Sequence, residues 1–401
     1  MQQSIIIAGE TYSPNIGDGV IAECLRYLFK QTVPGLRVHL LDISGRDGWP
    51  EAAAFTPTQN RRRVKLPSVR QLIGSRAVNV TRWTLLHGRQ ARARWPSQLQ
   101  DAAALVIGGG LLIMDNNLGF PLKLSTLVKV AGNQNVPIHF AACGVGDNRR
   151  WSTRGQHLLH QALSSAQTVT LRDTISQQKL AELAPDVIAR LTMDPAVFAR
   201  DVFGLPKGKI ASPVVGLGVM HVEKVNAYNA KKPELSPREM CDFWLELATL
   251  LLQQGIQPKL FCNGSEQDWQ FAHYVARQAQ QQCGLELPVA PRPTRPAQLA
   301  HTIASMRGVV VFRLHASIIA TAYGIPSVGL AWDAKVPAFY AETNRDDLCF
   351  SPHECTPGGV AAALHHAMAE GIEPDALAEW KARARSSVTV PLRATGIEPR
   401  D

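Results

Sequence analysis

The feature that most constrains this 401-residue chain is an alternation, kept up almost throughout, of short apolar runs and helix-period segments. That rhythm is the signature of parallel sheets with crossover helices. In the first half the runs predicted as strands are Ile5–Ala8, Val38–Leu41, Ala104–Ile107, Pro137–Ala142, Thr168–Leu171 and Val187–Leu191. Helical patterns fill Gly19–Gln31, Leu122–Gly132, Gly155–Ser165 and Thr174–Leu183. The pattern restarts after a Pro/Gly/Lys-rich joint at Gly204–Lys209, with strands at Val214–Val219, Gln257–Phe261, Gly308–Phe312, Ser327–Ala331 and near Leu348. Its helices are predicted at Pro237–Gln253, Glu266–Gln281, Pro296–Ser305, Ala316–Tyr323 and Gly359–Ala369. A chain this long exceeds one ordinary core. The expected fold class is therefore α/β, with two doubly wound Rossmann-like domains facing a cleft. The expected domains are 1–205 with a basic insertion at 56–100, then 210–375, then a helix and tail over 376–401.

The net charge is +9, but it is not spread evenly. No acidic residue lies between Glu51 and Asp101, where ten Arg and Lys sit. The rest of the chain therefore sums to −1. Arg61, Arg62, Arg63, Arg82 and their neighbours create a local potential that attracts phosphates. Trp83, Leu85 and Leu86 are interleaved with them. This mixture suits contact with an anionic membrane surface or a lipid diphosphate, although a solvated basic loop has the same composition. Nucleic acid would match the charge, but nothing else in the sequence supports it, and none is expected as a partner. The seven cysteines are odd in number and form no CxxC pair, which argues against a disulfide framework or structural zinc. With no leader-like N-terminus and no run of apolar residues long enough to span a bilayer, the expectation is a cytoplasmic protein, peripheral at the inner face of the membrane.

In open parallel sheets ligands bind beyond the carboxyl ends of strands. The residues following the predicted strand Gly308–Phe312 are Arg313-Leu314-His315-Ala316, at the start of a helix. Arg313 offers a fork that suits a carboxylate or phosphate. His315 can hold or release a proton near neutral pH. The helix N-terminus favours an anion. The next strand ends in Trp332-Asp333-Ala334-Lys335. The bland reading is an Arg313–Asp333 structural ion pair. On the first half, Asn15-Ile16-Gly17-Asp18, Gly108-Gly109-Gly110, Leu171-Arg172-Asp173 and Met193-Asp194-Pro195 also follow strands. Asp18 and Asp194 could equally be helix caps. His139, inside a strand, reads as a satisfied interior histidine.

Taken in order, these pieces resemble the polysaccharide pyruvyl transferase family. Its C-terminal signature is a strand, Arg-Leu-His-Ala, a helix, Gly-x-Pro and Asp-x-Lys. They stand here as Arg313–Ala316, Gly324-Ile325-Pro326 and Asp333-Ala334-Lys335. The Asn-x-Gly-Asp, Gly-Gly-Gly, Leu-Arg-Asp and Asp-Pro pieces also match in order, so the resemblance spans roughly residues 5 to 340. It departs at Ala142–Gly146 and at the basic block. The resemblance implies a GT-B-like fold and phosphoenolpyruvate as co-substrate, with no cofactor and no metal. The acceptor it implies is a sugar of an exopolysaccharide or cell-wall glycan, in many cases lipid-linked. It places Arg313 and His315, with Leu314 between them, on the donor and gives it Arg172 as an anion partner; the donor's own chemistry, a carboxylate, a phosphate and a methylene carbon to be protonated, adds Lys335 as a further cation and makes His315 the expected general acid. Asp333 is expected to orient His315, Asp18 or Asp194 to act as base, and Asn15, Gly17, Gly109, Gly110 and Asp194 to lie on the acceptor or its loops. Two rival functions fit the same sequence. One is a GT-B glycosyltransferase using a nucleotide sugar, which would need a Glu or Asp where Arg313-Leu314-His315 stands. The other is a non-catalytic binder of anionic polymers, which leaves the anion-directed residues after the strands without a purpose.

Overall fold

The computed structural model describes residues 3–49, 75–115, 117–147, 151–206, 214–228 and 233–400. It divides into two compact units: Met1–Tyr12, Ile21–Pro195 and Arg383–Asp401 form one, Ser13–Val20 and Ala196–Ala382 the other.

The first unit is built on six parallel strands: β1 (Ser4–Gly9), β2 (Arg37–Asp42), β3 (Ala102–Ile113), β4 (Ile138–Val145), β5 (Thr168–Leu171) and β6 (Ala189–Leu191). Their order is β2-β1-β3-β4-β5-β6. Ile5 pairs with Val38 on one side and Ala104 on the other. Every residue of β1 and β4 is buried, as expected for strands covered on both faces by helices. The crossover helices start where the sequence supplies caps. Ser152 Oγ accepts from Gly155 N and Asp173 accepts from Ser176 N, satisfying amides that have no partner inside the helix.

The second unit repeats the plan with β7 (Val214–Gly218), β8 (Gln257–Phe261), β9 (Gly308–Val311), β10 (Ser327–Leu330) and β11 (Cys349–Phe350), in the order β11-β10-β9-β7-β8. All its pairings are parallel. In each sheet the winding reverses between the first and third strands, β1/β3 and β7/β9. Those reversals are where doubly wound sheets open a crevice for ligands.

Four features differ from the sequence expectation. First, Ser13–Val20 belongs to the second unit, because Ile16 N donates to Asn263 O at 2.9 Å. Second, the C-terminal helix Pro374–Ala394 is shared, and its last turns and the tail belong to the first unit. Third, β3 does not stop at the three glycines but runs through them to Ile113. Fourth, the basic segment is partly structural. Helix Ser75–Arg82, a π-helical turn Trp83–His87 and helix Gly88–Leu99 bury Trp83, Ala91, Trp95 and Leu99 in the first core. Trp83 Nε1 donates to Thr126 Oγ1, so this indole packs against the first core rather than standing out toward a membrane. Residues 56–74, with Arg61, Arg62 and Arg63, lie outside the described residues.

His139 is the satisfied interior histidine expected of it. It is fully buried on β4, with ring nitrogens 2.9 Å from Thr168 Oγ1 and 3.1 Å from Thr395 Oγ1. Burial pushes its pKa down to about 4 from the ordinary 6.5. Between those values the unfolded chain binds a proton that the folded one refuses, so stability must fall as pH drops through this window. From pH 7 to pH 5 this group alone should cost about 2 kcal/mol. Urea midpoints at the two pH values check this, and the drop should be smaller by that amount in His139→Gln.

Candidate functional site

At the β7/β9 reversal, β9 ends at Val311 and the chain turns at Arg313 into helix Leu314–Ala322. Arg313 is the N-cap, in extended conformation, and its side chain caps nothing. It reaches instead to Asp268, which accepts from Nε at 3.1 Å and from Nη2 at 2.5 Å. Asp268 is fully buried in the first turn of helix Glu266–Cys283, and its other oxygen accepts from His221 N at 3.1 Å. The ion pair therefore exists, but with Asp268 rather than Asp333. Through its Nε and Nη2 edge it fixes the guanidinium at the mouth of the switch point.

Two further cations gather there. Lys335 Nζ lies 4.4 Å from the centre of the Trp332 ring, and Arg313 Cζ lies 5.8 Å from the same ring. Asp333 binds Lys335 Nζ at 2.8 Å and its amide at 3.2 Å, so it positions Lys335. Lys224, on helix Val222–Tyr228, places Nζ 3.4 Å from Ser265 Oγ. Its pKa is held below the ordinary lysine value first by burial and next by the charge of Arg313, with Lys335 adding to it against the pull of Asp268. Three cations thus share one neighbourhood with two carboxylates and a helix N-terminus, a combination suited to an anion.

His315 is the second residue of that helix and is buried. The carboxylate facing it is Asp18, with Oδ1 3.9 Å from Nδ1, an ion-pair separation rather than a hydrogen bond. Asn15 Nδ2 donates to the other Asp18 oxygen at 3.2 Å. Gly17 is required by this approach: a Cβ there would lie 2.5 Å from His315 Nδ1. Gly264, at φ +100°, plays a matching part beneath, since a Cβ would lie 2.3 Å from Ile16 Cγ1. Asn15, Gly17 and Asp18 are therefore brought to His315 within the second unit. Leu314 is buried beside them. Lys224, Asp268 and Trp332 are the members that sequence reasoning did not assign. Cys262, at the end of β8, is pushed up to about 12 by burial and offers no thiolate. Among the described residues, no three His, Cys, Asp or Glu side chains gather as metal ligands would.

The remaining expected residues lie in the first unit. Arg172 is buried, bonded through Nη1 to Asp194 at 3.1 Å and through Nε to Asp173 at 3.3 Å. Burial works against its charge, and the two carboxylates more than offset that, raising its pKa. Arg172 and Asp194 are thus partners of each other. A Cβ on Gly144 would lie 2.9 Å from Arg172 Nη2. Gly109 and Gly110 are buried inside β3 at φ +73° and +79°, not in a loop. Ile21 Cγ2 occupies the space of a Gly109 side chain, so this glycine serves helix packing.

Two doubly wound parallel units with an anion-directed switch point define an α/β protein of the GT-B class. Solved structures with this fold include the UDP-GlcNAc 2-epimerase of Methanocaldococcus jannaschii (TM-score 0.59, 10% identity, covering 97% of this chain and 99% of that one). The S. aureus MnaA–UDP structure is also similar (TM-score 0.58, 12% identity, complete coverage of both chains). No curated protein matches the sequence significantly. The sequence profile of the polysaccharide pyruvyl transferases, however, matches residues 15–334, from Asn15 to the turn before Lys335, and the chain belongs to that family. At family level the activity is pyruvyl transfer to a polysaccharide, and the protein is a transferase.

Proposed function

We propose that the chain moves the enolpyruvyl carbons of phosphoenolpyruvate onto a sugar as a cyclic ketal, with the site around Arg313 and His315 holding the donor. The observation that carries this reading is the cluster of Arg313, Lys335 and Lys224 at a helix N-terminus beside a histidine backed by a carboxylate. Phosphoenolpyruvate has a carboxylate and a phosphate, which call for at least two cationic contacts. His315, with Nδ1 toward Asp18, has Nε2 to carry the proton. Protonation of the donor methylene carbon makes the central carbon an electrophile. A sugar hydroxyl adds to it and gives up its proton to the neutral imidazole, which restores the imidazolium. The bond to phosphate then breaks, the oxygen keeping the electron pair, and a second hydroxyl closes the ketal, its proton leaving on phosphate. No redox change occurs, so the reaction calls for no redox cofactor.

The test is a thermal-shift titration with phosphoenolpyruvate against UDP-GlcNAc, the ligand class of the epimerase neighbours. At 100 times Kd the donor should stabilise the protein by about 2.7 kcal/mol. Arg313→Lys, which keeps the charge but loses the fork, should lose most of that response. A response to UDP-GlcNAc and none to phosphoenolpyruvate would replace this reading with a nucleotide-sugar transferase.

We also propose that the acceptor is lipid-linked and met at a membrane surface. No helix of the described residues is long and apolar enough to cross a membrane. Leu85 and Leu86 are nevertheless 54% and 56% exposed, and Arg82, Arg89 and Arg92 on the same segment are exposed with them. Each arginine near an anionic surface contributes about 1 kcal/mol. Vesicles containing phosphatidylserine should sediment the protein at low salt, and Leu85→Ser/Leu86→Ser should weaken this. Equal recovery with uncharged vesicles would count against it.

A further inference from the structure

The first unit holds a cavity of about 400 Å³ that the donor site does not use. It lies beyond the carboxyl end of β2, and Tyr12, following β1, is on its wall. That is the place a doubly wound sheet offers a ligand. One wall is the loop after β2, the other the π-helical turn and helix Gly88–Leu99.

The loop wall is rigidly held. Arg46 is clamped between Glu10 at 2.9 Å and Asp42 at 3.0 Å, and Asp42 itself accepts from Tyr12 N and Ser44 N, both at 2.8 Å. Lys123 Nζ reaches Glu10 at 2.9 Å from the neighbouring helix. The helical wall carries Trp83 and Trp95, ring centres 6.2 Å apart, with Gln90, Arg94 and Gln98 on the same wall. The wide turn before it tolerates only glycine at position 88, where a Cβ would lie 2.5 Å from Trp83 O. Single π turns inside helices occur frequently at functional sites.

Charge separates this cavity from the donor site. Its lining cations, Arg46 and Arg94, are matched by Asp42 and Asp47, so it presents no net charge. An uncharged ligand that needs both hydrogen bonds and apolar faces fits this lining. A pyranose is such a ligand: its hydroxyls pair with amide, carboxylate and guanidinium groups, and its C–H faces pack on indole rings. The volume is within the range of small-molecule pockets. We infer that this cavity binds the acceptor sugar, with Gln90 and Gln98 hydrogen-bonding its hydroxyls. The word acceptor rests on the pyruvyl-transfer reading, whereas the sugar site can be tested without it.

The experiment is saturation-transfer NMR on the full chain with the methyl glycosides of galactose, glucose, mannose and N-acetylglucosamine. Gln90 and Gln98 are exposed helix positions, so Gln90→Ala/Gln98→Ala should fold normally, as circular dichroism and an unchanged phosphoenolpyruvate shift would verify. At least one glycoside should show transfer, and the double variant should weaken its binding about tenfold through two lost hydrogen bonds. Undiminished transfer in the variant overturns the site, and so does absence of transfer from every glycoside, whatever the donor does. A sugar signal that behaves as expected in a protein without response to phosphoenolpyruvate keeps the sugar site and removes the donor reading.

Discussion

Replacing His315 by glutamine is expected to slow pyruvyl transfer by about 10²–10⁴-fold, the range a positioned general acid contributes. Glutamine fills a similar space but cannot deliver a proton to carbon. Donor binding should change by less than about tenfold, because the proposed donor contacts are Arg313, Lys335 and Lys224 rather than the imidazole. Asp18→Asn should have a smaller effect and move the pH–rate profile, since Asp18 acts on the imidazole and not on the donor. Single-turnover rates and donor titrations on the same samples separate the two quantities. Loss of donor affinity in His315→Gln would remove the histidine from the role of acid and make it a binding residue.

Arg313→Met should be the most destabilising single change at the site. It leaves Asp268, fully buried, without its cation. Breaking a buried pair from one side typically costs about 3–5 kcal/mol. Much of that should return in Arg313→Met/Asp268→Leu, where no charge is left behind in an apolar setting. Neither variant should bind phosphoenolpyruvate. Denaturant midpoints report the first effect and donor titration the second. A double variant that recovered stability and still bound the donor would show that the pair is structural alone.

The central strands were legible because they are buried apolar runs bounded by breakers. Gln257–Phe261 and Thr168–Leu171 fall where the pattern put them, as do helices Pro237–Gln253 and Thr174–Leu183. The residues Arg313 and His315 were legible for the same reason: strand ends can be counted along a chain. Their partners were not. The sequence reading paired both with Asp333, yet Arg313 binds Asp268, 45 residues earlier, and His315 faces Asp18, nearly three hundred residues earlier. Only the packing of helix Glu266–Cys283 and of Ser13–Val20 determines that. Gly109 was misread because a glycine that admits a ligand and one that admits Ile21 look identical in sequence. Trp83 was misread because an indole among arginines carries no mark of which way it points.

The dependence of His315 on Asp18 has a consequence for biosynthesis. Ser13–Val20 leaves the ribosome early, while the residues it packs against, Asn263 and His315, are still unmade. At ordinary elongation rates of about 5–20 residues per second, Asp18 waits roughly 15–60 s for its histidine. During that interval the proposed proton relay is incomplete. A product truncated before His315 would lack the proposed acid, and with it Arg383–Asp401, the part of the first unit that is made last.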